Sequence, residues 1–128
     1  MESETLAQLC RNLADDKKAE DIVVLDVREI SSITDFFVIA SGGSDPHLRA
    51  IVNEIDGGLL KHHKMKCTRI DGDHLSGWIA MDYVDVIVHV MRADSRETYD
   101  LEGLWSDAKK IPPVPVPLDT KWVKRIKF

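Results

Sequence analysis

Cysteine is scarce in this chain: Cys10 and Cys67 are the two among 128 residues, and they lie far apart without CxxC spacing. No apolar run approaches the roughly 20 residues of a membrane span, and the start, MESETLAQLC, lacks the basic and apolar regions of a secretory signal. A reducing cytoplasm is the expected compartment. Bases are in deficit, with 17 Lys and Arg against 22 Asp and Glu and a net charge of -5, which argues against a surface that neutralises nucleic-acid phosphates by itself. If the protein works near RNA, it should grip a basic protein there. Aromatics make up 6% of the chain, yet two of three tryptophans and both tyrosines fall within residues 78–107. No internal repeat is visible, and 128 residues suffice for one core. We expect one domain over residues 1–111, followed by a tail over 112–128 that is Pro-rich and then basic.

What is present reads as alternating helix and strand. Leu6, Leu9, Cys10, Leu13 and Ala14 recur at steps of three and four and predict a helix over residues 4–20. Residues 22–27 and 36–40 are nearly continuous β-branched and apolar runs, as in covered strands. Ser41-Gly42-Gly43-Ser44-Asp45-Pro46 then offers a sharp turn, a capping side chain and a proline suited to a first helical turn. Leu48, Ile51, Val52, Ile55, Leu59 and Leu60 keep the 3.6 period, with Gly57-Gly58 expected to fray or bend the last turn. Residues 65–70 predict a strand and Asp71-Gly72-Asp73 a turn. Residues 78–81 and 86–91 form a hairpin, and Asp94-Ser95 opens one capped helix through Tyr99, Leu101, Leu104 and Trp105. This pattern is α/β (α+β): a mixed, roughly five-stranded sheet flanked by helices.

Several clusters resemble chemistry without completing it. Gly42-Gly43-Ser44 before a helix could cradle a phosphate, and a nucleotide-binding or nucleotidyltransferase-like enzyme is the alternative it raises. That chemistry needs paired carboxylates on one strand face, whereas Asp82 and Asp85 are spaced i, i+3 across a turn. His62, His63 and Cys67 lack a regular fourth ligand, and Asp71, Asp73 and His74 lack the later acid of a calcium loop. His89, inside an apolar strand and opposite Val88 and Val90, reads as a hydrogen-bonded structural histidine. No catalytic set, metal or cofactor is expected.

The aromatics call for another explanation. At 100° per residue Leu101, Leu104 and Trp105 share a face that Tyr99 does not, while Trp78 and Ala80 point opposite to Ile79 and Met81. Exposed aromatics ringed by Asp82, Asp85 and Asp100 would make a docking surface for a basic partner.

Three blocks, DIVVLDVREISSITDFFVIASGGSD, GWIAMDYVDVIVHVM and SRETYDLEGLWSDA, closely resemble the ribosomal silencing factor family, also called RsfS or Iojap, over residues 18–110. The resemblance implies a nucleotidyltransferase-like topology without the catalytic acids, and a non-enzymatic role. It further implies binding to ribosomal protein L14 on the large subunit, a block of subunit joining that represses translation, and a homodimer when free. Trp78, Asp82, Tyr83, Asp85, Tyr99, Asp100, Leu101 and Trp105 are the expected ribosomal-protein-binding residues. The family usually has Gly where Val84 stands, so a turn with negative φ throughout is expected here. The quoted blocks end before the tail, whose direct contact with RNA, through Lys121, Lys124, Arg125 and Lys127, is expected to be minor at most.

Overall fold

A computed structural model of the chain describes residues 1–73 and 75–113. Helix α1, Ser3–Asp16, leads into strand β1, Glu20–Asp26, which pairs antiparallel with β2, Phe36–Gly42. Helix α2, Asp45–His63, crosses over to β3, Arg69–Asp73, which forms an antiparallel meander with β4, Trp78–Asp82, and β5, Val86–Arg92. β5 returns to lie parallel beside β2. Two short helices, α3 (Ala93–Tyr99) and α4 (Leu101–Leu104), precede β6 (Lys109–Lys110), giving the sheet order β3-β4-β5-β2-β1-β6. The mixed sheet is as expected, and its sixth strand arises because Lys109 and Lys110 pair with Asp26 and Leu25. Among the described residues no helix is long and apolar enough to cross a membrane.

Period-two alternation sends side chains to two unequal cores. Phe36, Val38, Ala40, Ile79, Met81, Val86, Val88 and Val90 pack beneath α1 and α2 in the larger one. Leu25, Val27, Phe37, Ile39 and Met91 form a smaller cluster on the other face, roofed by the half-buried Leu101, Trp105 and Ala108. β2 is buried along its whole length, which explains why its sequence is apolar without alternation.

Local chemistry sets the ends of α2. Ser44, extended at φ -158°, accepts a hydrogen bond from the His47 N–H at 3.3 Å, and Lys64 closes the helix in the left-handed region at φ 53°. The expected fraying at Gly57-Gly58 does not occur. Gly58 lies where α2 meets α1, and a Cβ there would come within 2.6 Å of a methyl of the fully buried Leu13, whereas Gly57 has nothing within 4 Å. Gly57→Ala should therefore raise stability by about 0.5–1 kcal/mol. Gly58→Ala should lower it by about 1–3 kcal/mol through overpacking. Urea unfolding of the two variants, run side by side, checks the contrast.

Two expected elements are corrected. The strand after α2 is Arg69–Asp73 rather than 65–70, so Asp71-Gly72-Asp73 lies within β3, with Gly72 at φ 83° against the Trp78 carbonyl. The single helix after β5 is broken at Asp100, whose backbone is left-handed at φ 45°. At the other end, Arg11 Nη2 donates to the Ile111 carbonyl at 2.9 Å and Gln8 Nε2 to that of Pro112 at 3.1 Å. The expected tail lies outside the described residues from position 114 onward, as does His74.

A candidate protein-binding face

The smaller-core face of the sheet carries a row of rings. Strand pairing brings Trp78 beside Met91, Ala80 beside His89, and His89 beside Ile39. Tyr99, at the end of α3, stacks on Trp78 with centroids 4.8 Å apart and planes at 46°. Trp78 lies 5.7 Å from His89, His89 lies 5.3 Å from Phe37, and Phe37 lies 5.1 Å from Trp105, the last two pairs edge to face. Five rings thus run without interruption from the exposed Tyr99 across β4, β5 and β2 to the half-buried Trp105.

His89 is the hinge of this row. Trp78 Nε1–H donates to His89 Nδ1 at 3.0 Å, which fixes the imidazole as the neutral Nε2–H tautomer. Burial pushes its pKa down to about 4. The structural role expected for this histidine is what the geometry shows.

The roof over the row is held by Arg96. Its Nη1 donates to Ser41 Oγ on β2 at 2.9 Å and its Nε to Glu102 at 2.8 Å, an ion pair that holds the Glu102 carboxyl below the usual carboxylate range. The left-handed Asp100 accepts from the Gly103 N–H at 3.1 Å and starts α4 in a new direction. This kink turns Leu101 and Trp105 onto the sheet while leaving Tyr99 55% and Leu104 73% exposed. Leu104 therefore does not share the packed face assigned to it from helical spacing. No helix-breaking residue precedes Asp100, so the sequence carried no signal of the kink beyond the aspartate itself.

The expected anchors are accordingly divided. Trp78, Tyr99, Leu101 and Trp105 belong to one face. Tyr83 does not join them: it is 5% exposed, packed in the larger core, and burial pushes its phenol well above the ordinary value. Asp82 and Asp85 sit at the hairpin tip at the opposite end of β4 from Trp78, with Asp85 exposed and Asp82 half-buried. Asp82 shares the face of Trp78 and Ala80 along β4. Two acids expected in a turn, Asp71 and Asp73, pair in register with Ala80 and Trp78 and so edge the same face. Their i, i+2 spacing was the signal for that placement. A groove of about 290 Å³ lies beside Asp71, lined by Asp71, Gly72, Ser76, Trp78, Ala80 and Tyr99.

The hairpin tip overturns the expectation of negative φ. Val84 has φ 72°, the Asp85 N–H donates to the Tyr83 carbonyl at 2.9 Å, and the Val84 N–H donates to Asp82 Oδ1 at 2.7 Å. This is a γ-turn held open by the Asp82 carboxylate and by the Tyr83 N–H bond to the Val86 carbonyl. A β-branched residue at positive φ costs on the order of 1–3 kcal/mol, which the flanking ladder offsets. Val84→Gly should raise stability by about 1 kcal/mol, seen as a higher urea midpoint at unchanged slope.

The Gly42-Gly43-Ser44 turn is built differently from a phosphate cradle. Gly42 is buried, and a Cβ there would meet Leu48 at 2.8 Å. The Gly43 N–H donates to His47 Nδ1 at 2.9 Å, Ser44 caps α2, and Asp45 pairs with Arg92 at 2.9 Å. The turn's polar groups are engaged within the chain. Among the described residues no cluster of three His, Cys, Asp or Glu is placed to hold a metal ion.

Comparison with known proteins agrees with this geometry. Residues 1–126 match the family model described as ribosomal silencing factor during starvation, which extends the match past the 18–110 region of the quoted blocks and into the tail. The ribosomal silencing factor RsfS of Halalkalibacterium halodurans is 39% identical over 111 residues, covering 87% of this chain and 94% of that protein. A mouse protein named mitochondrial assembly of ribosomal large subunit protein 1 is 38% identical over 96 residues, which span 70% of this chain and 40% of that longer protein. A crystal structure of a Chromobacterium violaceum protein superposes with a TM-score of 0.77 at 30% identity, covering 91% of this chain and 97% of that one. The chain belongs to the ribosomal silencing factor (RsfS) family.

Proposed function

We propose that this chain is a non-catalytic translational repressor of the cytoplasm that binds the large ribosomal subunit through ribosomal protein L14 and sterically blocks joining of the small subunit. The observation that carries this reading is the ring row from Tyr99 to Trp105, half covered by α3 and α4 and edged by Asp71, Asp73 and Asp82, in a member of this family. Aromatic anchors with an acidic rim suit a basic protein partner, and a ribosomal protein is one.

Exclusion by occupancy at micromolar levels requires a Kd near or below about 1 μM, or about 8 kcal/mol. Three or four anchors contributing about 2 kcal/mol each meet that requirement. Trp78, Tyr99, Leu101 and Trp105 supply the anchors, with Asp82, Asp85 and Asp100 as charged partners. Tyr83 contributes from beneath, by holding the hairpin tip in the core. The free chain is expected to be a homodimer, and sedimentation at twice the chain mass checks it. Mixing purified 30S and 50S subunits with the protein tests the function: a drop in 70S formation, followed by light scattering, is expected, and unchanged joining at saturating protein refutes it.

A further inference from the structure

We propose that the groove between β3 and the Trp78–Tyr99 pair receives a single arginine side chain of the protein partner, stacked on the rings and held by the Asp71 carboxylate. This rests on the proposed binding to ribosomal protein L14 and specifies the chemistry of one contact within it.

The groove has the shape and chemistry for a flat cation. Its aromatic side is the tilted Trp78–Tyr99 pair, of which Tyr99 is largely open to solvent. The small Ala80 and, on the edge strand, the backbone of Gly72 also line it. Its polar side is Asp71, on the rim where β3 ends the sheet. A guanidinium can lie over a ring and present two parallel N–H groups to a carboxylate at once, whereas an ammonium is a compact, strongly hydrated charge that gains less from a ring wall.

The protein itself shows what Asp71 binds. Arg69, two residues earlier on the same strand face, places its Nε 2.9 Å from Asp71 Oδ2, with 70% and 59% of the two side chains exposed. So open an ion pair is weak and exchangeable. Arg69 lies outside the ring walls and therefore holds the carboxylate without the stacking that an incoming arginine gains. Asp73 is occupied otherwise, accepting from the Ser76 N–H at 2.8 Å, which leaves Asp71 as the acid free to exchange partners.

The test is a set of affinities for purified ribosomal protein L14, with large-subunit pelleting alongside. Asp71→Asn should weaken binding about tenfold and Tyr99→Ala about 30-fold, while Tyr99→Phe, which keeps the ring, should stay within about threefold of the parent. Arg69→Gln, which frees the carboxylate, should tighten binding by about two- to fivefold, an effect that loss of folding cannot mimic. One Arg→Lys variant of the partner should lose as much as Asp71→Asn and lose nothing further when the two are combined. If the parent binds but Asp71→Asn, Tyr99→Ala and every partner Arg→Lys bind equally well, the arginine contact is refuted and the proposed function stands. If the parent binds neither ribosomal protein L14 nor the large subunit, both fall.

Discussion

An Asp85→Lys variant is expected to bind large ribosomal subunits at least about 30-fold more weakly than the parent, because a like charge set against a basic partner costs about 2 kcal/mol or more. Asp85 is the clean position for this reversal. Its side chain is exposed, and it serves the fold through its backbone, whose carbonyl accepts from the Asp35 N–H at 2.9 Å and the Phe36 N–H at 3.1 Å. Asp82 is not equivalent, since its carboxylate holds the Val84 N–H in the strained turn. The double reversal of Asp82 and Asp85 should abolish co-sedimentation but also lower stability, so the single variant carries the inference. Circular dichroism and urea unfolding of Asp85→Lys should match the parent. Equal pelleting of parent and variant would remove the hairpin tip from the contact.

Acid should destabilise the protein through His89. Its pKa is about 4 in the folded chain, because burial disfavours the imidazolium, against an ordinary value of 6.5. The unfolded state therefore binds more protons between these pH values, and stability falls as pH drops from 6.5 to 4. The slope approaches 1.4 kcal/mol per pH unit and the total loss is on the order of 3 kcal/mol. Protonation also removes the lone pair of Nδ1 that accepts the Trp78 N–H, so the ring row loosens as the fold weakens. Asp26 and Glu102, both held below the usual carboxylate range by arginine hydrogen bonds, add loss in the same direction at still lower pH. Urea midpoints measured at pH 7, 5.5 and 4.5 should decline in step, while a His89→Gln variant should start lower and decline less. A parent curve flat from pH 7 to 4.5 would contradict the buried neutral histidine.

Local grammar explains what was legible in the chain. β1, β2 and α2 are announced by β-branched runs, by Ser44 at the cap and by a 3.6 period, all properties of neighbours in sequence. The meander β3-β4-β5 was less accessible, because Asp-Gly-Asp has turn composition and only pairing with residues 78–82 makes it a strand. Gly72 serves that pairing, since its positive φ lets the chain pass the Trp78 carbonyl where a Cβ would collide. Val84 is the converse case. Its side chain favours extended backbone, yet the bonds from the Tyr83 and Asp85 amides and the Asp82 carboxylate impose φ 72°.

Part of the candidate site could be read in advance for a similar reason. The aromatics and acids were visible by composition, and the pairing of His89 with other side chains was expected from its place in an apolar strand. Which rings meet depended on the register of β4 and β5 and on the kink at Asp100, and neither is encoded within a few residues. Tyr83 is the clearest instance: next to two acids it reads as a surface anchor, but the γ-turn rotates it into the larger core. Asp71 and Asp73 moved the other way, from a presumed turn to the rim of the ring row.

Recognition of the large ribosomal subunit by this face is open to co-sedimentation. Purified protein should pellet with isolated large subunits at about 1 μM and remain in solution with small ones. Pelleting with both, or with neither, would mean that the protein does not recognise the large subunit specifically.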